Sequence, residues 1–196
     1  MTSQIFMQQL ANGISIGSLY ALLAIGYTMV YGILRLINFA HGDIFMMAAY
    51  FMVFSIINFK LPWYVAMVVV IIASVALGVL LEKAAYRPLR NAPRMSIMIS
   101  AIGASFLLEN LATYLFTGVP KGFPDIPILT KAVNIGDISL SVATIITPFV
   151  TILLLNVVLF ITNKTKIGMA MRAVSKDFET AKLMGININR VISTTF

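Results

Sequence analysis

Apolar residues come in long runs separated by short polar, charged stretches. Residues 9–34, 62–81, 95–116 and 138–162 form four such runs, each near or above the roughly 20 residues a helix needs to cross a bilayer. A further run, 44–59, is too short to cross alone. Adding 36–40 restores its length but draws His41, Gly42 and Asp43 into or near the membrane. Irregular backbone at that depth is tolerated only where neighbouring helices or a cavity satisfy its polar groups. The pattern therefore predicts an all-α, polytopic transmembrane bundle of about five spans, the second broken near His41-Gly42.

Gly13, Gly17 and Ala21 recur at spacing four in the first run. Such a ridge lets helices approach closely, and it is expected to pack within its own bundle. Pro62 opens the third run, with Trp63 and Tyr64 as interfacial anchors. Segment 82–94 carries Lys83, Arg87, Arg90 and Arg94 against the single acid Glu82; Pro88 and Pro93 speak against a continuous helix there. Segment 117–137, rich in Gly and Pro, balances Lys121 and Lys131 with Asp125 and Asp137. Lys164, Lys166, Arg172 and Lys176 follow the last run. Basic loops mark the cytoplasmic face, so 82–94 and 164–190 are expected inside, 117–137 outside, and the N-terminus outside.

Composition agrees. Charged residues make up 11% of the chain and hydrophobic ones 60%, against about 25% charged in soluble domains; mean hydropathy is +0.95. The net charge of +7 sits in the loops and does not call for nucleic acid. No cysteine is present, which excludes thiolate chemistry and disulfides. One histidine with scattered acids makes no metal cluster, and no GxxxxGK[ST] loop is present to hold ATP. No catalytic triad assembles from the spacing, and no cleavable signal peptide opens the chain. Neither enzyme activity nor a cofactor is expected.

Ionisable groups inside a membrane usually face a protein interior or a watery path. His41 and Asp43 lie two apart and would point in different directions on a helix; lining or capping at the break suits them. Glu109, in the second half of its run, would bond a neighbouring helix or lie near the path. Asn110 and Asn156 read as glue between helices.

Residues 169–190 form the longest run unsuited to the bilayer. Ser175 and Asp177 are good N-caps, residues 178–184 favour helix, and Gly185 stands where a helix ends in the left-handed conformation. Glu179 and Lys182 suit the helix dipole. The predicted two-turn helix displays Phe178, Ala181, Leu183 and Met184, a face fit to dock into a groove on another protein.

The stretch Leu36-Ile37-Asn38-Phe39-Ala40-His41-Gly42-Asp43, followed by Met47-Ala48-Ala49-Tyr50, resembles the signature of permease subunits of branched-chain amino acid ABC importers. Segments 17–22, 26–32 and 82–90 are similar to the same family. Glu179-Thr180-Ala181 with Gly185 resembles the EAA…G loop of ABC importers, with Thr180 in place of the middle Ala. The resemblance covers essentially all of 1–196 as one permease domain, with 169–190 as its coupling region. It implies translocation of branched-chain or related amino acids across the bacterial inner membrane, driven by ATP hydrolysis on partner chains. The implied partners are cytoplasmic ATP-binding subunits, a second permease subunit, an extracytoplasmic substrate-binding protein and membrane lipid. It makes Asp177, Phe178, Glu179, Ala181, Leu183, Met184 and Gly185 the expected coupling residues, and Asn38, His41, Asp43 and Glu109 candidate lining of the path. It also implies that a complete chain continues beyond Phe196, where 191–196 resembles the start of another span. The rival readings are an ABC permease for another small solute and an ion-coupled transporter using Glu109 or Asp43. A membrane-embedded enzyme lacks any convergent nucleophile or metal constellation.

Overall fold

A computed structural model describes residues 2–35, 37–90, 92–135 and 138–196. Leu36 and Asp137, which the sequence places in the interruption and the outer loop, lie outside the described residues. The helices are α1 (Thr2–Leu34), α2 (His41–Ile57), α3 (Trp63–Leu81), α4 (Arg94–Phe116), α5 (Pro127–Thr130), α6 (Val142–Lys164), α7 (Lys166–Lys176), α8 (Phe178–Leu183) and α9 (Ile188–Thr195). A short antiparallel hairpin, β1 (Ala132–Ile135) and β2 (Ile138–Ser141), pairs Val133 with Leu140. Segments 4–33, 63–89, 95–116 and 142–164 are long and apolar enough to cross a membrane; α2 is apolar but shorter.

Contacts divide the chain into two compact units, Met1–Gly26 with Asp125–Met169, and Tyr27–Pro124 with Ala170–Phe196. In the first unit, Gln8 Nε2 donates to the Ser139 carbonyl at 3.0 Å. Ser141, the predicted beginning of a span at 138 notwithstanding, is a strand residue that caps α6 by accepting from Thr144 N at 3.1 Å. Ile138-Ser-Leu-Ser alternates apolar and polar residues, a period-2 pattern that suits a strand. Gly13 and Gly17 have nothing within 4 Å of an added Cβ, so among the described residues no neighbour packs against this ridge.

In the second unit α2 lies beside the later half of α4 and runs in the same direction. Asp43 meets Ser105 at the start of α2. Eleven residues further along both helices, Phe54 meets Phe116 with ring centroids 5.6 Å apart, and Tyr50 stacks on Phe116 at 4.9 Å. Met47 packs with Ala112 and Phe116 between these points. The earlier half of α4 therefore faces the interruption and the end of α3: Ala40, Leu81, Tyr86, Ile97 and Ala101 form one buried cluster.

Segment 82–94 is not simply a loop. α3 runs on through a π-helical turn, Glu82–Tyr86, and a 3-10 turn, Arg87–Leu89. Pro88 sits in the first positions of that turn, where its missing N–H costs no helical bond.

Candidate functional site

The interruption lies just ahead of His41 rather than within the helix. Arg35 ends α1 in the left-handed region at φ 52°, and α2 begins at His41. Between them Asn38 and Ala40 are buried. The Asn38 carbonyl accepts from His41 N at 3.2 Å, and its side-chain Oδ1 accepts from the Tyr86 hydroxyl at 2.7 Å. The polar side chain of Asn38 is thus satisfied within protein, while Phe39 stays exposed. His41 is half-buried, its ring 6.3 Å from that of Tyr27 and nearly edge-on. Asp43, in the first turn of α2, suits the positive end of the helix; its Oδ2 accepts from Ser105 Oγ at 2.5 Å.

Of the four candidate lining residues, Asn38, His41 and Asp43 come together at this break. Glu109 does not join them; it stands exposed on α4, one turn beyond Ser105 on the same face. Asn110 and Asn156 were expected to bridge helices. Each instead donates to a carbonyl one turn back on its own helix, Phe106 at 2.7 Å and Ile152 at 2.8 Å, because that acceptor is always within reach.

The second feature is the helix–turn assembly α7–α8–α9. Asp177 is the N-cap of α8: its Oδ1 accepts from Glu179 N at 2.9 Å and Thr180 N at 3.3 Å, and its Oδ2 from Thr180 Oγ1 at 2.5 Å. The Thr180 hydroxyl, then the two backbone donors, hold the Asp177 carboxyl below the usual aspartate range. At the other end Gly185 adopts φ 80°. Ile186 N donates to Ala181 O and Gly185 N to Lys182 O, both at 3.1 Å, the paired bonds of a Schellman ending. Both ends of α8 are therefore fixed by local chemistry.

One expected display residue points the wrong way. Ala181 is buried, packed with Ile33, Met171, Val174 and Val191, because α7 and α9 close over that side of the helix. Leu183 and Met184 are 87% and 78% exposed, and Phe178 is exposed at 36%. The outward apolar residues of α8 and its C-cap are Phe178, Leu183 and Met184, with Glu179 and Lys182 beside them.

A third cluster escaped the sequence. Glu82 is fully buried, paired with Arg90 and accepting from Ser193 Oγ at 2.8 Å. Arg90 also donates to Asn189 Oδ1. Arg35 Nη2 donates to Ser175 O at 3.2 Å. The basic segments expected on one side of the membrane thus meet in one unit. A lone acid directly after an apolar run, amid arginines, was the available signal. At the far end of α2 a cavity of about 170 Å³ is lined by Tyr50, Val53, Phe54, Ile57, Phe116 and Lys121.

The profile of the family described as branched-chain amino acid transport system/permease component matches residues 9–196. The chain belongs to this permease family. It is 35% identical, over 97% of its length, to the high-affinity branched-chain amino acid transport system permease protein BraD of Pseudomonas aeruginosa. It is 37% identical, again over 97% of its length, to the corresponding permease proteins LivH of Salmonella typhimurium and Escherichia coli K12. The chain spans 66% of the length of each of these relatives. No solved structure matches it.

In this permease-family chain the stretch that carried the resemblance covers the interruption, 37–40, and the first turn of α2, from His41 to Asp43. The Glu179-Thr180-Ala181…Gly185 pattern is likewise structural. Glu179 supplies one of the capped amides, Ala181 the buried anchor and Gly185 the left-handed ending. Among the described residues no three His, Cys, Asp or Glu side chains gather as metal ligands.

Proposed function

We propose that the chain is the membrane-spanning permease component of an ATP-binding-cassette importer that carries branched-chain or related amino acids across the bacterial inner membrane. ATP is hydrolysed on cytoplasmic partner subunits, a second permease subunit completes the pathway, and an extracytoplasmic binding protein delivers the substrate. The observation that carries this reading is the family match over residues 9–196. The geometry supports it mechanically: α8 is fixed at both ends and on its Ala181 side, and bare on its Leu183–Met184 side. Such an element can receive a push from a docked partner and pass it to the chain around it. The interruption at 37–40, with Asn38, His41 and Asp43, supplies polar groups at membrane depth for the solute path.

The test is a single cysteine at Leu183 in the full-length permease, co-expressed with its ATPase and partner permease. Leu183 replaces the more obvious Ala181, which is buried. A crosslink to the ATPase whose yield changes with ATP, together with leucine uptake that follows ATP, is the expected result. Uptake that follows a proton or sodium gradient and ignores ATP would refute the proposal and favour ion coupling.

A further inference from the structure

The turn Glu82–Tyr86 is π-helical, a geometry that recurs at functional sites because it loosens the helical register. Both ends meet the α9 region, and the last end also holds the interruption. At the first, the Glu82 carboxylate pairs with Arg90 and accepts from Ser193 of α9, while Arg90 reaches Asn189 near the start of α9. At the last, the Tyr86 hydroxyl donates to Asn38 in the interruption, and its ring lies 5.0 Å from that of Phe196, which follows α9. Glu82 is 0% exposed, and Tyr86 and Asn38 are each 3% exposed. A buried charge stripped of its partner is strongly unfavourable, and so is a buried acceptor left without its donor. When α9 shifts, Glu82 therefore follows Ser193 and Arg90, and Asn38 follows Tyr86.

We propose that Glu82 and Tyr86 are positioning residues of the transport cycle: the π turn relays movement of α8–α9 to the interruption ahead of α2. The proposal rests on the docking role of α8. It assigns a task to Glu82 and Tyr86, buried groups that neither the solute path nor the docking surface uses.

The experiment uses the full-length permease assembled with its ATPase, partner permease and binding protein in proteoliposomes. Radiolabelled leucine taken up and ATP hydrolysed are measured on the same vesicles. Tyr86→Phe removes one hydroxyl and keeps the ring; Ser193→Ala removes the donor to Glu82, and Ser193→Thr restores it. The expected result is complexes recovered at wild-type yield in which leucine carried per ATP falls about fivefold in Tyr86→Phe and Ser193→Ala, the scale of one buried hydrogen bond. Ser193→Thr stays near wild type. An unchanged ratio overturns the relay. So does loss of assembly, or a proportional fall in uptake and hydrolysis, since either marks a purely structural tie. If wild-type uptake itself ignores ATP, the importer reading fails first and takes the relay with it. ATP-dependent wild-type uptake with an unchanged ratio removes the relay alone.

Discussion

Gly168 is the position where this backbone leaves least room. It lies just inside α7, and a Cβ built on it would stand 2.2 Å from the Thr162 carbonyl oxygen and 2.3 Å from that of Ile161, where real contacts do not fall below 3.0 Å. Both obstacles are backbone atoms of the last turns of α6, so no side chain can swing away. Thr165 fixes the same corner: its Oγ1 accepts from Gly168 N at 3.1 Å and donates to Ile161 O at 2.5 Å. Gly168→Ala must push the α6–α7 corner apart by most of an ångström. Overpacking that moves backbone costs about 1–3 kcal/mol, and here the upper end applies. Replacing Gly by Ala inside a helix returns about 1 kcal/mol, which leaves a net loss of roughly 2 kcal/mol. At about 2–4 °C per kcal/mol for a chain of this size, Tm should fall by roughly 4–8 °C. The matched control is Gly103→Ala in α4, which has nothing within 4 Å of the added carbon and should hold or raise Tm. Thermal unfolding of the detergent-solubilised full-length permease reads both. A Gly168→Ala protein as stable as its Gly103→Ala counterpart would refute the corner geometry.

Gly185→Val should weaken ATP-coupled uptake, because Gly185 sits at φ 80° and forcing a side chain there costs roughly 1–2 kcal/mol; full uptake at wild-type expression would contradict this. Ala181→Leu should lower Tm by overfilling the cluster with Met171 and Val174, by about 1–3 kcal/mol. Leu183→Ala should leave Tm unchanged and reduce co-purification of the ATPase, so equal effects on both measurements would sink the division of α8 into an anchored and a bare side. The depressed Asp177 carboxyl contributes stability that is fully present above its unfolded value and is lost as pH falls through the lower folded value. The Tm difference between wild type and Asp177→Asn should therefore stay constant from about pH 7 to 5 and shrink only below about pH 4; a change in that difference nearer neutrality would refute the cap assignment.

What the sequence made legible was whatever is encoded locally. Long apolar runs predict spans because length and hydropathy alone decide insertion. The Asp177 cap and the Gly185 ending could be read from neighbouring residues because their hydrogen bonds close within one or two turns. The interruption was legible as a defect: an apolar run too short to cross, with His41-Gly42-Asp43 beside it. The inward face of Ala181 was not, since it depends on α7 and α9 packing on that side, and 191–196, taking in most of α9, resembled the start of another span. Glu82 was hidden more deeply. An acid after an apolar run looks like the edge of a membrane, and its partner Ser193 lies 111 residues away. The π turn has no propensity signature distinct from an α-helix. The hairpin 132–141 was masked by its own apolar residues, which extended the following span on a hydropathy count.

The arrangement of α8 also bears on whether 169–190 folds back on its own spans or reaches for a partner. The two alternatives are not exclusive, because residues two apart on a helix face different ways, and Met184 lies past the end of α8 as its C-cap. Ala181 is spent inward, while Leu183 and Met184, two and three residues later, stay almost bare. A loop evolved only to cover its own spans gains nothing from leaving two large apolar side chains in water beside a buried alanine. Yet those two side chains limit how tightly α8 alone can dock. Fully burying them would contribute about 3–6 kcal/mol together, whereas a micromolar complex needs about 8 kcal/mol after the costs of association. The remainder has to come from the flanking groups, Phe178 and the charged Glu179 and Lys182, and from surface beyond α8. A lever held firmly by its own chain and only moderately by its partner suits repeated strokes. On the proposed docking role, the fixed ends of α8 would keep its shape through each stroke while a modest outer contact lets the partner move relative to it.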